Sequence, residues 1–248
     1  MTDQLSLPLD ATADRLPDLP DLRPMLARPL SDAFDSDEHV FEPWWGGLRA
    51  LVSIGPAERP GDGDVRVVDA DEIDRTEALP ELAGTAVRVV ARSAILDGEL
   101  VVVDADGRAD EAALERRLDG RTGRPVAFLA FDLLHLDGRS LLGQPLVKRR
   151  EALRRILRPG DEVVAVPAIA TEGRALFDAI VAQGLAGMMA RQRQSPYLPG
   201  IRSRLWRFIP AIAGSVPAAE LAEAPDEPIS ATAPVLAMLS RLPLDDDT

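Results

Sequence analysis

The stretch that decides the fold is VAFLAFDLLHLDGRSLLGQPLVKRREALRRIL, residues 126–157. Its first part, 126–138, is β-branched and aromatic and runs apolar into Asp137-Gly138, the pattern of a buried strand closed by a turn. Its last part opens at Pro145 and stops before Arg158-Pro159-Gly160, which punctuates a helix over 145–157. Strand, turn and helix in that order also occur in β-α-β units, so the flanking segments decide the class.

Upstream lie four strand-like runs, at 48–55, 64–70, 86–91 and 94–107, the last ending in an Asp-Ala-Asp-Gly hairpin turn. A helical pattern follows at 109–118. Downstream, EVVAVPAI (162–169) reads as a strand and 173–184 as a helix stopped by Gly184. LAGMMAR and RLWRFIP are short strands around the loop QRQSPYLPGIRS. Strands in twos and threes without regular β-α-β alternation predict an α+β fold.

Composition divides the chain in three. Residues 1–23 are Pro- and Asp-rich and predict a flexible acidic lead-in; 24–212 carry the folded domain; 213–248 form an Ala/Pro/acidic tail with a short docking helix at 233–244. The net charge of −13 would argue against a nucleic-acid partner, but the acidity belongs to the ends. Residues 41–213 hold 25 acidic and 24 basic side chains. The chain has no cysteine, so disulfides and thiolate metal sites are excluded. Its first residues do not form a secretory signal, and no apolar run approaches the roughly 18 residues that span a bilayer. A cytoplasmic location with no membrane partner is expected.

LDGEL (96–100) puts Asp97 and Glu99 two apart in a strand, on one face. That geometry suits a metal or ribose hydroxyls, and it is also an ordinary turn sequence. His135 reads as structural and His39 as a loop residue. Basic side chains gather in two places. One is 148–158; the other is Arg191, Arg193, Arg202, Arg204 and Arg207, in a stretch free of carboxylates. Each reads either as a solvated face or as a phosphate-binding patch.

Order and spacing carry more. PMLA, FEPxxxGxRALV, LDGELVVVDADGR, FDLLHLDGRSLLGQPLVKRREAL and GLAGMMARQRQSPYLPGIRSRLW succeed one another from about Pro24 to Pro210. This succession resembles the adenylation domain of bacterial ATP-dependent DNA ligases. The resemblance implies a nucleotidyltransferase fold of the ligase and mRNA-capping type, two antiparallel sheets with flanking helices. It also implies ATP and Mg as cofactors, nicked or duplex DNA as partner, and a place in DNA repair or recombination. In that family a lysine in K-x-D-G-x-R attacks the α-phosphate of ATP to form lysyl-AMP. An OB-fold domain usually follows; the residues after Pro210 are too few for one, and none is expected.

Laid on this motif, FEPWWGGLRALV (41–52) puts Trp44 at the nucleophile and Gly46 at the aspartate, while Gly47 and Arg49 match. Indole is not a usable nucleophile and carries no positive charge. A nucleotide-contacting arginine is missing from Asp69-Ala70-Asp71-Glu72. E-G-x-x-x-K becomes Ala186 to Arg191, and both lysines of W-x-K-x-K become Phe208 and Pro210. The resemblance leaves Glu42, Arg49, Glu99 and Phe131 as nucleotide-binding residues, the last stacking on adenine. It leaves no catalytic nucleophile and no metal ligand set. The single lysine, Lys148, opens a basic helix, and arginine stays protonated and cannot replace it.

Three readings follow. The first is a catalytically inactive adenylation domain that retains nucleotide or DNA binding. The second is an active ligase component working with a partner. The third is a non-enzymatic interaction protein whose pocket Trp44 and Trp45 fill and whose acidic tails contact a protein partner.

Overall fold

The structure is a computed structural model that describes residues 16, 17, 19, 22–211 and 230–244. Two strands, β1 (Leu26–Pro29) and β2 (Ser36–Trp44), precede the hairpin of β3 (Leu48–Ile54) and β4 (Val65–Asp69). A 3-10 turn (Pro80–Gly84) runs into α1 (Thr85–Arg88), then come β5 (Ala94–Val101), α2 (Glu111–Leu118), β6 (Ala127–Leu136) and β7 (Arg139–Ser140). After α3 (Leu146–Ile156) follow β8 (Val163–Ala165), β9 (Ile169–Thr171), α4 (Gly173–Gln183), β10 (Gly187–Gln192), β11 (Arg202–Pro210) and α5 (Ala233–Leu239).

These strands make two sheets. One is five-stranded, in the order β1-β11-β10-β2-β9; the other is β4-β3-β5-β6-β7, with β8 added alongside β6. Pairing is antiparallel except for β1–β11 and β6–β8. The α+β architecture of two sheets with flanking helices is therefore present. Three large apolar clusters and a small one of Val40, Leu146 and Ala168 hold it. One lies outside the six-stranded sheet, under α2 and α3. A second packs α4 and α5 around Phe41, Trp45 and Met188. A third, with Leu51, Ile95, Leu134, Tyr197 and Trp206, fills part of the space between the sheets.

Two segments expected to be single strands differ. Residues 86–91 are a helical turn entering a bridge at Val89. Pro80 starts the turn, and Leu82, Ala86 and Val89 point inward while Val87 and Val90 are exposed at 65% and 44%. That spacing is helical, so packing overrides the β-branched preference. The run 162–169 splits at Pro167: β8 joins the six-stranded sheet and β9 the five-stranded one. Proline has no N–H for a ladder, which makes it the switch point. Strands β1 and β2 are additions to the sequence reading.

Much of the 1–23 lead-in lies outside the described residues, but Leu19 and Leu22 are 3% and 5% exposed and pack with Met25. At the other end α5 buries Val235, Met238 and Leu239, and the turn after it buries Leu242. Each such side chain contributes about 1.5–3 kcal/mol of burial. No described helix is long and apolar enough to cross a membrane.

Candidate functional site

The turn between β2 and β3 builds one edge of the space between the sheets. Gly46 has φ +86°, and a Cβ at Gly47 would lie 2.2 Å from the carbonyl oxygen of Leu100. Glycine is required at both, one for conformation and one for contact. The turn is held by Glu99, whose carboxylate accepts the N–H groups of Trp45 (3.4 Å) and Gly47. Glu99 is 4% exposed. Burial pushes its pKa up to about 7, against the backbone N–H groups that favour its charge.

The two tryptophans part company here. Trp45 is 2% exposed; its indole N–H donates to the carbonyl of Gly107 at 2.9 Å, in the cluster under α5. Trp44 shares a strand face with Glu42 and meets Phe208 edge-on, with ring centroids 4.4 Å apart. The two indoles expected together are therefore separated: Trp44 lies on the Glu42 face against Phe208, and Trp45 is turned into the core under α5.

Positions scattered along the sequence meet at this point. Trp44, Gly187 and Pro210 lie side by side across β2, β10 and β11. A Cβ at Gly46 would sit 3.0 Å from the Ala186 Cβ and 3.8 Å from the Trp44 ring. The places where the resemblance expects lysine, aspartate, glutamate and two lysines (44, 46, 186, 208 and 210) form one uncharged patch.

Glu42, two residues before Trp44, is 1% exposed and shared by two arginines. Arg150 of α3 reaches it at 2.5 Å and also donates to the carbonyls of Phe131 and Val166. Arg191 of β10 lies 2.8 Å from its other oxygen. The Arg191 guanidinium sits 3.8 Å from the centre of the Phe131 ring and 4.4 Å from that of Trp206. Burial lowers the Arg191 pKa to about 10, with Glu42 opposing.

Arg49 grips Asp97 with two bonds of 2.5 Å and lies 4.6 Å from the Phe131 centroid. Burial works against its charge, but Asp97 outweighs it and holds the guanidinium above its ordinary pKa. Tyr197, from the loop before β11, donates to Asp97 at 2.7 Å and accepts the N–H of Met25. Its phenol is raised well above the usual range by burial and by that carboxylate.

Glu42, Arg49, Glu99 and Phe131 are thus brought together, but they are occupied. Phe131 is 5% exposed, with two guanidiniums against its ring. Asp97 and Glu99 share a face, as their spacing predicts, yet one holds Arg49 and the other holds the turn. Among the described residues no three His, Asp or Glu side chains converge on a metal-sized site. The residues here do not fit ATP with Mg: the Phe131 ring that the resemblance gives to adenine is covered by guanidiniums, position 44 is an indole, and the carboxylates are engaged.

Among the five arginines proposed for nucleic acid, Arg191 is 1% exposed and stands apart. Arg202 and Arg204 are exposed, while Arg193 and Arg207 are half-buried. Arg207 follows Trp206 and is carried to the other face of β11. Arg150, Asp97 and Tyr197 complete the site without having been singled out for these roles. Of the three, the Asp97–Glu99 spacing was the readable signal.

Comparison with known proteins agrees with this fold. The profile of the ATP dependent DNA ligase domain matches residues 24–208. The chain is 34% identical over 186 residues to the multifunctional non-homologous end joining protein LigD of Mycobacterium bovis, spanning 75% of this chain and 23% of that protein. It is 34% identical over 208 residues to DNA ligase C1 of Mycolicibacterium smegmatis, spanning 75% of this chain and 56% of that one. The chain therefore covers under two thirds of the length of either relative. Among solved structures, mycobacterial DNA ligase D complexed with ATP and MES superposes with a TM-score of 0.65 at 30% identity, over 78% of this chain and 61% of that one. The chain belongs to the ATP-dependent DNA ligase family, and the matched region is its adenylation domain.

Proposed function

We propose that this is a catalytically silent adenylation domain whose nucleotide pocket is filled by its own side chains. The observation that carries the reading is the uncharged patch of Trp44, Gly46, Ala186 and Phe208, beside a Phe131 ring covered by Arg191. A lysyl-adenylate needs a neutral amine beside the α-phosphate, with cations to offset its charge. Neither group stands in the patch. The test is intact-protein mass spectrometry after incubation with ATP and Mg, together with calorimetric titration of ATP, ADP and AMP. No added AMP mass and no binding heat are expected; an adduct, or micromolar affinity, overturns the reading.

A second function is supported by the exposure of Arg202 and Arg204 on one strand. We infer weak contact with duplex or nicked DNA through these side chains, in DNA repair or recombination and in the cytoplasm, as the family suggests. Affinity should fall steeply with salt, and Arg202→Ala with Arg204→Ala should flatten that slope by about 2. An unchanged slope removes the assignment.

A further inference from the structure

The segment 230–244 lies beyond the region that matches the family. It docks through Val235, Met238, Leu239 and Leu242, which recur at helical spacing and are 0%, 0%, 7% and 7% exposed. Among the described residues its hydrogen bonds to the domain are made at one residue: the Thr232 N–H donates to the carbonyl of Asp161, and its hydroxyl to that of Gly160. An apolar helix face with polar contacts at one end is how amphipathic helices bind grooves in trans. The helix leaves part of its surroundings open. Leu236 is 43% exposed, and a groove of about 510 Å³ runs between α5 and the Val166–Pro167 turn.

The contact reaches the site through Gly107. A Cβ there would lie 2.5 Å from the Pro234 carbonyl oxygen and 2.8 Å from the Met238 Cβ, so α5 rests directly on this turn. The carbonyl of the same glycine accepts the Trp45 indole N–H. Trp45 in turn supplies a backbone N–H to Glu99. Helix, Gly107, Trp45 and the 45–47 turn are therefore stacked in sequence.

We propose that residues 230–244 are a tethered latch, a releasable helical ligand of the apolar cluster around Trp45, whose docking seats Trp45 and keeps the 45–47 turn closed over Glu99. This stands whether or not the cleft takes nucleotide.

The test is hydrogen exchange of the indole N–H groups in the full chain, read by NMR, with Trp45→Phe giving the assignment. Met238→Asp should release the helix and speed exchange at Trp45 at least tenfold. Trp206, bonded to Ser195 Oγ at 3.3 Å in the separate cluster between the sheets, should be unaffected. A synthetic peptide of residues 230–244 added to this variant should restore protection at Trp45. Unchanged exchange at Trp45 overturns the latch, and so does failure of the peptide to restore it. If Met238→Asp does not fold, Leu239→Ala is read the same way. Equal loss at Trp206 in the milder variant shows that the segment is an integral part of the core, which also overturns it.

Discussion

Replacing Glu42 by glutamine tests how the buried charges beside Phe131 are held together. Its carboxylate is 1% exposed and serves two guanidiniums, Arg150 at 2.5 Å and Arg191 at 2.8 Å. Without it Arg150 keeps the carbonyls of Phe131 and Val166. Arg191 keeps only the faces of Phe131 and Trp206, because its Nε and Nη1 have no hydrogen-bond partner. Breaking a buried pair from one side leaves uncompensated charge and costs about 3–5 kcal/mol. Arg191→Met works the other way. It removes the surplus buried cation, leaves Glu42 paired with Arg150, and lays a thioether on two aromatic rings. The expected change is within about 1 kcal/mol of wild type, because an apolar replacement of a buried charge is often neutral or stabilising. The double variant should recover part of the Glu42→Gln loss, since no unpaired Arg191 remains. Urea denaturation followed by far-UV circular dichroism measures all three, with m-values checked for constancy. If Arg191→Met loses as much stability as Glu42→Gln, Arg191 is stabilising by itself and the reasoning fails.

Three further outcomes follow from the same geometry. Glu99 binds its proton more tightly folded, at a pKa of about 7, than at its unfolded value of 4.5, so stability should fall as pH rises through that interval. The loss is at most about 3 kcal/mol; urea midpoints from pH 4 to 8 should show it in wild type and not in Glu99→Gln. Trp44→Lys returns an amine to the nucleophile position but places it against Phe208 and Ala186. It should cost about 1–3 kcal/mol and yield no AMP adduct by mass spectrometry, and an adduct would show that the pocket is open. Gly47→Ala forces a Cβ to within 2.2 Å of the Leu100 carbonyl oxygen. It should destabilise by more than about 3 kcal/mol, and a thermal midpoint near wild type would mean that the turn can move.

The class of the fold, the order of most elements from β3 onward and the departures from the motif residues were legible because each depends on neighbours in sequence. Gly184 stops α4 in the left-handed region, at φ +73°, as its place after an apolar helix predicts. Asp110 caps α2 with its side chain, and Asp137-Gly138 closes β6. The alternation of a strand placed Asp97 and Glu99 on one face. Residues 86–91 were misread because tertiary packing, not β-branching, sets their spacing.

What local pattern does not specify is which partner a charge finds. Arg149 and Arg150 belong to the same basic run as Lys148 and Arg155, yet the first two are buried and the others exposed. The helix turn that carries them inward brings Arg150 to Glu42, 108 residues away. Arg191 looked like one more member of a surface patch until β10 aligned it with Glu42 and Phe131. The sequence by itself determined that Trp44, Gly46, Ala186, Phe208 and Pro210 stand where the resemblance expects charged side chains, since that is a matter of residue identity. Only the tertiary structure decided what took their place: the register of β2, β10 and β11 presses Trp44 against Phe208, while the turn at Gly46 and Gly47 sends Trp45 to the opposite core.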